Sequence, residues 1–192
     1  METALPLIVV FAKAPVPGCV KTRLGIDPVR AAALHAAFVG DTIKMLTALQ
    51  GEAHIEISTD EATEAWSGFP AQRSLQSPGD LGQRMLAAIT RALDRGRPKV
   101  MLLGGDSPGL PAGHVRALLQ SAADVAIGPA EDGGFYAIAC RKISPQMFDG
   151  VRWSTAETLK DTLRALQRCG LSFELGPAWF DIDTPRDLKR LR

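Results

Sequence analysis

Three loops carry residues whose types and spacing suit chemistry on a phosphorylated substrate. Lys13-Ala14-Pro15-Val16-Pro17-Gly18-Cys19-Val20-Lys21-Thr22-Arg23 places three cations within eleven residues stiffened by prolines and a glycine. Backbone amides and point charges on such a segment can face a diphosphate with little ordering cost. A solvated basic loop is the plain alternative. The run is not a P-loop, because Val20 stands where glycine must precede Lys-Thr, and no Gly-x-Gly-x-x-Gly follows the first strand. Gly104-Gly105-Asp106-Ser107-Pro108 presents a lone carboxylate in a tight turn. One or two protein carboxylates suffice for Mg²⁺ or Mn²⁺ when phosphates supply other oxygens; an Asx turn or helix cap uses the same residues. In Phe180-Asp181-Ile182-Asp183-Thr184-Pro185 the two acids alternate. On an extended segment both face one way, and either Asp181 or Asp183 could complete a metal site with Asp106.

A fourth segment, Gly128-Pro129-Ala130-Glu131-Asp132-Gly133-Gly134-Phe135-Tyr136, pairs two acids with two glycines that permit close approach of a ligand. Glu131 or Asp132 could hold a sugar hydroxyl or act as a base, and a hairpin turn explains Asp-Gly equally. Trp153 suits stacking on a base or sugar, or core packing ahead of a helix. Asp187 reads as a structural acid in the first turn of a terminal helix, with Thr184 as its N-cap.

These loops need a scaffold that gathers them. Leu5 to Ala12 is a continuous apolar run that fits a strand covered on both faces. Asp27-Pro28 opens a helix whose stripe carries Leu34, Phe38, Met45 and Leu49. Further along, the pattern predicts strands at His54–Ser58 and Gln72–Leu75, with a short helix at Glu61–Trp66 between them. Asp80 and Gln83 form a capping-box pattern for a helix that stops near Gly96. Then come a strand at Lys99–Leu103, a helix from about Ala112 to Ser121, and strands at Val125–Gly128 and Phe135–Ala139. Ser154-x-x-Glu157 reads as a capping box for a helix closed near Gly170, followed by a short strand at Leu171–Leu175. Alternating strands and helices imply an α/β fold, a single three-layer αβα domain over residues 1–192 with a largely parallel sheet. Ligands of such sheets bind beyond the carboxyl ends of the strands, where the Lys13–Arg23 and Gly104–Pro108 loops would lie.

Composition narrows the function. The 192 residues carry 22 Lys+Arg against 21 Asp+Glu, a net charge of +1 without the general basic character of many nucleic-acid binders. Cys19, Cys140 and Cys169 are too few and too scattered for a disulfide framework or zinc site. The sequence reads as cytoplasmic, with no spanning segment and no leader.

FAKAPVPGCVKTRL, GDLGQRM, LLGGDSPGLP, GPAEDGGFYAIA, VRWST and DIDTP-x-DL, in this order across nearly the whole chain, resemble a bacterial family of nucleotide-diphospho-sugar transferase-like proteins. Its members are often labelled glycosyltransferases of the GT-A fold, and some are tied to arsenosugar biosynthesis. The resemblance implies a mixed, mostly parallel GT-A sheet and a nucleotide/phosphate side built from Ala12, Lys13, Gly18, Lys21, Arg23, Asp80 and Arg84. It further implies Mg²⁺ or Mn²⁺ on Asp106 and Asp183, and an acceptor or sugar side at Glu131, Asp132, Gly133, Gly134 and Trp153. The wider superfamily includes sugar-phosphate, molybdopterin and phospholactate nucleotidyltransferases. Many GT-A glycosyltransferases carry Asp-x-Asp, whereas Ser107-Pro108 follow Asp106 here, a pattern nearer the nucleotidyltransferases.

Two reactions are therefore expected as alternatives. In glycosyl transfer, a nucleotide-sugar donates its sugar to a small acceptor, with Lys21 and Asp106 at the diphosphate and Asp132 as base. In nucleotidyl transfer, the phosphate of an acceptor attacks a nucleoside triphosphate, pyrophosphate leaves, and no base is needed. A nucleotide-binding protein without turnover is the third reading. The partners expected are the nucleotide and a small acceptor, with no nucleic acid and no membrane span; self-association as a homo-oligomer is left open.

Overall fold

A computed structural model of the chain describes residues 4–191. Seven strands form one sheet: β1 (Leu7–Ala12), β2 (His54–Thr59), β3 (Gln72–Leu75), β4 (Val100–Gly104), β5 (Val125–Pro129), β6 (Phe135–Cys140) and β7 (Phe173–Leu175). Their spatial order is β3-β2-β1-β4-β6-β5-β7. All run the same way except β6, which is antiparallel to both β4 and β5. The expected mixed, mostly parallel α/β sheet is the one observed.

Alternation along β1 builds the layers. Ile8 and Val10 join a core with Val39, Ile43 and Leu46 of α1 (Pro28–Thr47) and Val115 and Leu118 of α3 (Ala112–Gln120). Leu7 and Val9 face the other way, onto Met85 and Ile89 of α2 (Leu81–Asp94) and Leu166 of α4 (Thr158–Arg168). Both faces of the central strands are therefore dry, as the unbroken apolar run required. No helix among the described residues is long and apolar enough to cross a membrane.

The helix signals were mostly accurate. Asp27 caps α1 by accepting from Arg30 N, and the Asp80/Gln83 capping box of α2 is fully formed. Three expectations differ. Glu61–Trp66 is a series of turns rather than a helix, where Thr63 Oγ1 accepts from Ala65 N and Ser67 Oγ donates to Glu64 O. Such local side-chain bonds compete with helical ones. Ser154 does not cap α4: it adopts φ 58°, and the helix starts at Thr158 after a turn in which the Thr155 and Thr158 hydroxyls donate to the Arg152 carbonyl. The terminal helix is only a 3-10 turn, Asp187–Arg190. Asp187 is structural as expected, but it is the acceptor for Asp183 N, Thr184 N and Thr184 Oγ1.

Candidate active site

A cleft of about 590 Å³ opens beyond the carboxyl ends of β1 and β4, within the usual size of small-ligand sites. Ala12, the last residue of β1, and Gly104, the last of β4, both line it, as do Lys13, Lys21, Arg23, Arg84, Asp106, Trp153 and Asp183. Residues separated by up to 172 positions in sequence, Phe11 to Asp183, thus share one cavity.

The basic loop is pinned at several points. Ala14 N donates to Asp60 Oδ1 at 2.8 Å, and His35 Nε2 donates to the Lys13 carbonyl at 2.9 Å. Val20 and Leu24 are buried on either side of Lys21, whose backbone is left-handed at φ 50°. That conformation is costly for a residue with a side chain and persists only where surroundings impose it. It directs Lys21 inward: the side chain is 3 % exposed, and Nζ lies 5.7 Å from the centre of the Phe38 ring.

Lys21 joins the two carboxylates that were expected to bind metal. Its Nζ donates to the Ile182 carbonyl at 2.6 Å and to Asp183 Oδ1 at 3.0 Å, and it lies 2.8 Å from Asp106 Oδ1. Burial alone would lower its pKa, but the charges of Asp106 and Asp183 outweigh burial and hold it raised. The Asp106 side chain is 46 % exposed as a whole, while its Oδ1 is buried against the Lys21 ammonium. Burial pushes this carboxyl up; the His35 ring, whose Nδ1 is 3.5 Å away, and the Lys21 ammonium overcome that and bring it down to about 2. The C-terminal segment reaches the site because Ile182 is fully buried and its N–H donates to the Asp106 carbonyl at 3.0 Å.

Between the alternating acids the structure draws a distinction. Asp183 shares the cation with Asp106, whereas Asp181 accepts a short hydrogen bond from Ser107 Oγ. Burial raises the Asp181 carboxyl to about 6; the Ser107 bond opposes this, and the charges of Asp106, Asp132 and Asp183 add to it. The folded protein therefore holds this proton more tightly than the unfolded chain, whose value is 3.8. The associated stability is complete below about pH 4 and is lost as pH rises through about 6. Asp181→Asn keeps an oxygen for Ser107 and is expected to stabilise the protein by about 1–3 kcal/mol above pH 6. Urea unfolding at pH 4 and pH 8 should show the gain only at pH 8.

A family model described as an uncharacterized protein conserved in bacteria (DUF2064) matches residues 42–155, more than half of the chain. The chain belongs to the DUF2064 family. The match leaves out both the basic loop and the Asp181–Asp183 segment, so the cation site joins family-matched Asp106 to residues outside the match. A structure from Desulfovibrio desulfuricans G20, provisionally named a nucleotide-diphospho-sugar transferase, is 37% identical with a TM-score of 0.89, over 98% of this chain and 86% of that one. CMP:2-keto-3-deoxy-manno-octonic acid synthetase, in complex with CTP, is 16% identical with a TM-score of 0.65 over 98% and 97% of the two chains. Glucosyl-3-phosphoglycerate synthase from Mycobacterium tuberculosis, in complex with Mn²⁺, UDP and glucosyl-3-phosphoglycerate, is 10% identical with a TM-score of 0.60 over 97% and 75%. The Desulfovibrio structure carries a transferase name, and the latter two share the fold of the DUF2064 chain. No curated protein matches the sequence.

Not every expected residue of this DUF2064 member reaches the cleft. Asp80, placed on the nucleotide side by the resemblance, is the N-cap of α2 and stands outside the lining. Gly18 also lies outside it, at a loop bend with φ 83°. Arg84 does line it and donates to Gln76 Oε1 at 2.9 Å. Glu131 pairs with Arg190 at 2.6 Å, and Asp132 Oδ1 accepts from Gly134 N at 2.9 Å. Neither acid lines the cleft, nor do Gly133 and Gly134. Trp153 combines both of its readings: it lines the cleft while packing edge-on against Phe135 and Phe148. Sequence reasoning missed His35 and Gln76. The available signal for His35 was a lone histidine on the buried face of α1, beside Ala31 and Phe38.

Proposed function

We propose that this protein is a metal-dependent transferase, working as one domain, that takes a nucleotide-diphospho-sugar and passes its sugar to a small acceptor. The observation that carries this reading is the convergence of Asp106 and Asp183 on the Lys21 ammonium, 2.8 and 3.0 Å away, in a cleft also lined by Lys13, Arg23 and Arg84. Among the described residues no group of three or more metal-ligating side chains occurs. Two carboxylates nevertheless fit Mg²⁺ or Mn²⁺, which commonly take few protein ligands and complete their shell with phosphate and water oxygens. Asp106 Oδ1, buried and already facing the Lys21 cation at 2.8 Å, is an acceptor suited to such an ion. When bound, the ion would supply Lewis-acid stabilisation of charge on the departing diphosphate.

The chain's own residues do the rest. Lys13 and Arg23 are exposed cations on the cleft wall that can orient the diphosphate oxygens. Trp153 offers a ring for a base or sugar to stack on. The Desulfovibrio relative supports the class of donor, and the Mycobacterium enzyme supports a nucleotide together with Mn²⁺ on this fold.

One observation favours nucleotidyl transfer as a second reading. Asp132, the expected base, is tied to Gly134 N and lies outside the cleft lining, and attack by an already ionised phosphate needs no base. A thermal-shift panel of nucleoside triphosphates and nucleotide-sugars with Mg²⁺ or Mn²⁺ separates the two, because a ligand of the native state raises the midpoint. Stabilisation by nucleotide-sugars, with release of nucleoside diphosphate on turnover, is the expected result. Stabilisation by triphosphates alone, with pyrophosphate release, would establish the second reading, and no shift with any nucleotide would reject both.

A further inference from the structure

We propose that Lys21 is a gatekeeping counter-cation: its ammonium holds the Asp106–Asp183 seat against free divalent metal and yields it only when nucleotide phosphates enter the cleft. The inference rests on the reading of these carboxylates as metal ligands. It specifies what the site selects, a metal-chelated nucleotide rather than the bare ion.

The contacts of Lys21 leave it little freedom to act as a simple phosphate ligand. Two of its N–H groups donate to Ile182 O and Asp183 Oδ1, and the ammonium also neutralises Asp106 from 2.8 Å. With Lys21 in place the seat keeps one net negative charge from two carboxylates. A bare divalent ion entering there must lose water and displace, or lie beside, a positive charge.

Exposure is arranged so that exchange is physically open. Asp106 and Asp183 are 46 % and 42 % exposed, whereas the Lys21 side chain is 3 % exposed. The carboxylates can thus be reached from the cleft while the ammonium lies behind them. Its two carboxylate contacts are similar in length, 2.8 Å to Asp106 and 3.0 Å to Asp183, so an entering ion would meet both acids at one point. Lys21 also belongs to the loop that presents Lys13 and Arg23 to the same cleft. Phosphates held there by the exposed Lys13 and Arg23 bring negative charge beside the seat, which favours the ion and offsets the repulsion from the ammonium. Nucleotide and metal then reinforce one another's binding, and the reinforcement is reciprocal.

The test compares wild type with Lys21→Met, which removes the charge and keeps an unbranched stem, and with Lys21→Arg, which keeps the charge. Free Mn²⁺ is titrated without nucleotide and followed by electron paramagnetic resonance. Lys21→Met is expected to bind it roughly tenfold or more tightly than wild type, and Lys21→Arg as weakly as wild type. Calorimetry with UDP, in EDTA and in Mn²⁺, should show a strong enhancement by the ion in wild type and a smaller one in Lys21→Met. Equal or weaker Mn²⁺ binding by a folded Lys21→Met overturns the proposal. Should that variant not fold, wild type decides: free Mn²⁺ bound as tightly without UDP as with it is equally fatal. UDP binding that Mn²⁺ strengthens, with free-ion affinity unchanged by the substitution, defeats this proposal alone. Absence of Mn²⁺ binding under every condition removes the metal reading along with it.

Discussion

Asp106→Asn should lower metal-dependent nucleotide affinity by about 100-fold or more while leaving the protein folded. Even groups that merely orient a metal ligand cost about 10–100-fold when replaced, and Asp106 is placed to be a ligand itself. The amide is nearly isosteric, so the turn after β4 and the Asp106 carbonyl bond to Ile182 N at 3.0 Å survive. Lys21 keeps Asp183 and the Ile182 carbonyl as partners. The Oδ1 that pairs with Lys21 is buried, but the amide oxygen of Asn can still face the ammonium, so the stability lost should be about 1–3 kcal/mol. Calorimetric titration of UDP in Mn²⁺ and in EDTA checks this. Affinities that are the same in both buffers, for wild type and variant alike, would exclude a metal at Asp106.

Gly133→Ala should destabilise the protein by about 2–5 kcal/mol. Gly133 has φ 89°, and left-handed backbone costs a residue with a Cβ about 1–2 kcal/mol. A Cβ there would also lie 2.2 Å from the Ala156 carbonyl oxygen and 2.7 Å from its carbonyl carbon. These are backbone atoms that cannot rotate away, and forcing such a contact costs about a further 1–3 kcal/mol. The Gly133 carbonyl accepts from Leu159 N at 2.9 Å, so displacement would also loosen the start of α4. Gly18→Ala is the control: φ is 83°, but a Cβ there meets nothing within 4 Å, so only the backbone penalty of about 1–2 kcal/mol remains. Urea unfolding of the two variants should separate them by at least the clash. Equal losses would mean the turn between β5 and β6 moves away from Ala156 freely. The demand for glycine at 133 comes from this packing, which weakens any need to invoke a ligand there.

Local physics made most of the scaffold legible in the sequence. The apolar runs of β1 and β4, the Asp27-Pro28 start and the Asp80/Gln83 box act over a few residues, and each formed where expected. The exceptions lie where short polar side chains bond their own backbone, around Thr63–Ser67 and Ser154–Thr158. The site was legible only as a set of candidates. Asp132 bears the same carboxylate as Asp106, and only the folded chain shows that it satisfies the Gly134 amide while Asp106 faces a cleft.

By itself the sequence determined a largely parallel α/β sheet, the loops at its carboxyl edge, and a supply of cations and acids suited to a phosphorylated ligand. Tertiary structure alone decided which acid pairs with which cation. Asp181 and Asp183 are equivalent by spacing, yet burial of Ile182 between them turns one to Ser107 and the other to Lys21. The reason is range: helix caps and strand patterns are set by neighbours in sequence, whereas Lys21 meets Asp183 across 162 positions, through packing that no local pattern encodes.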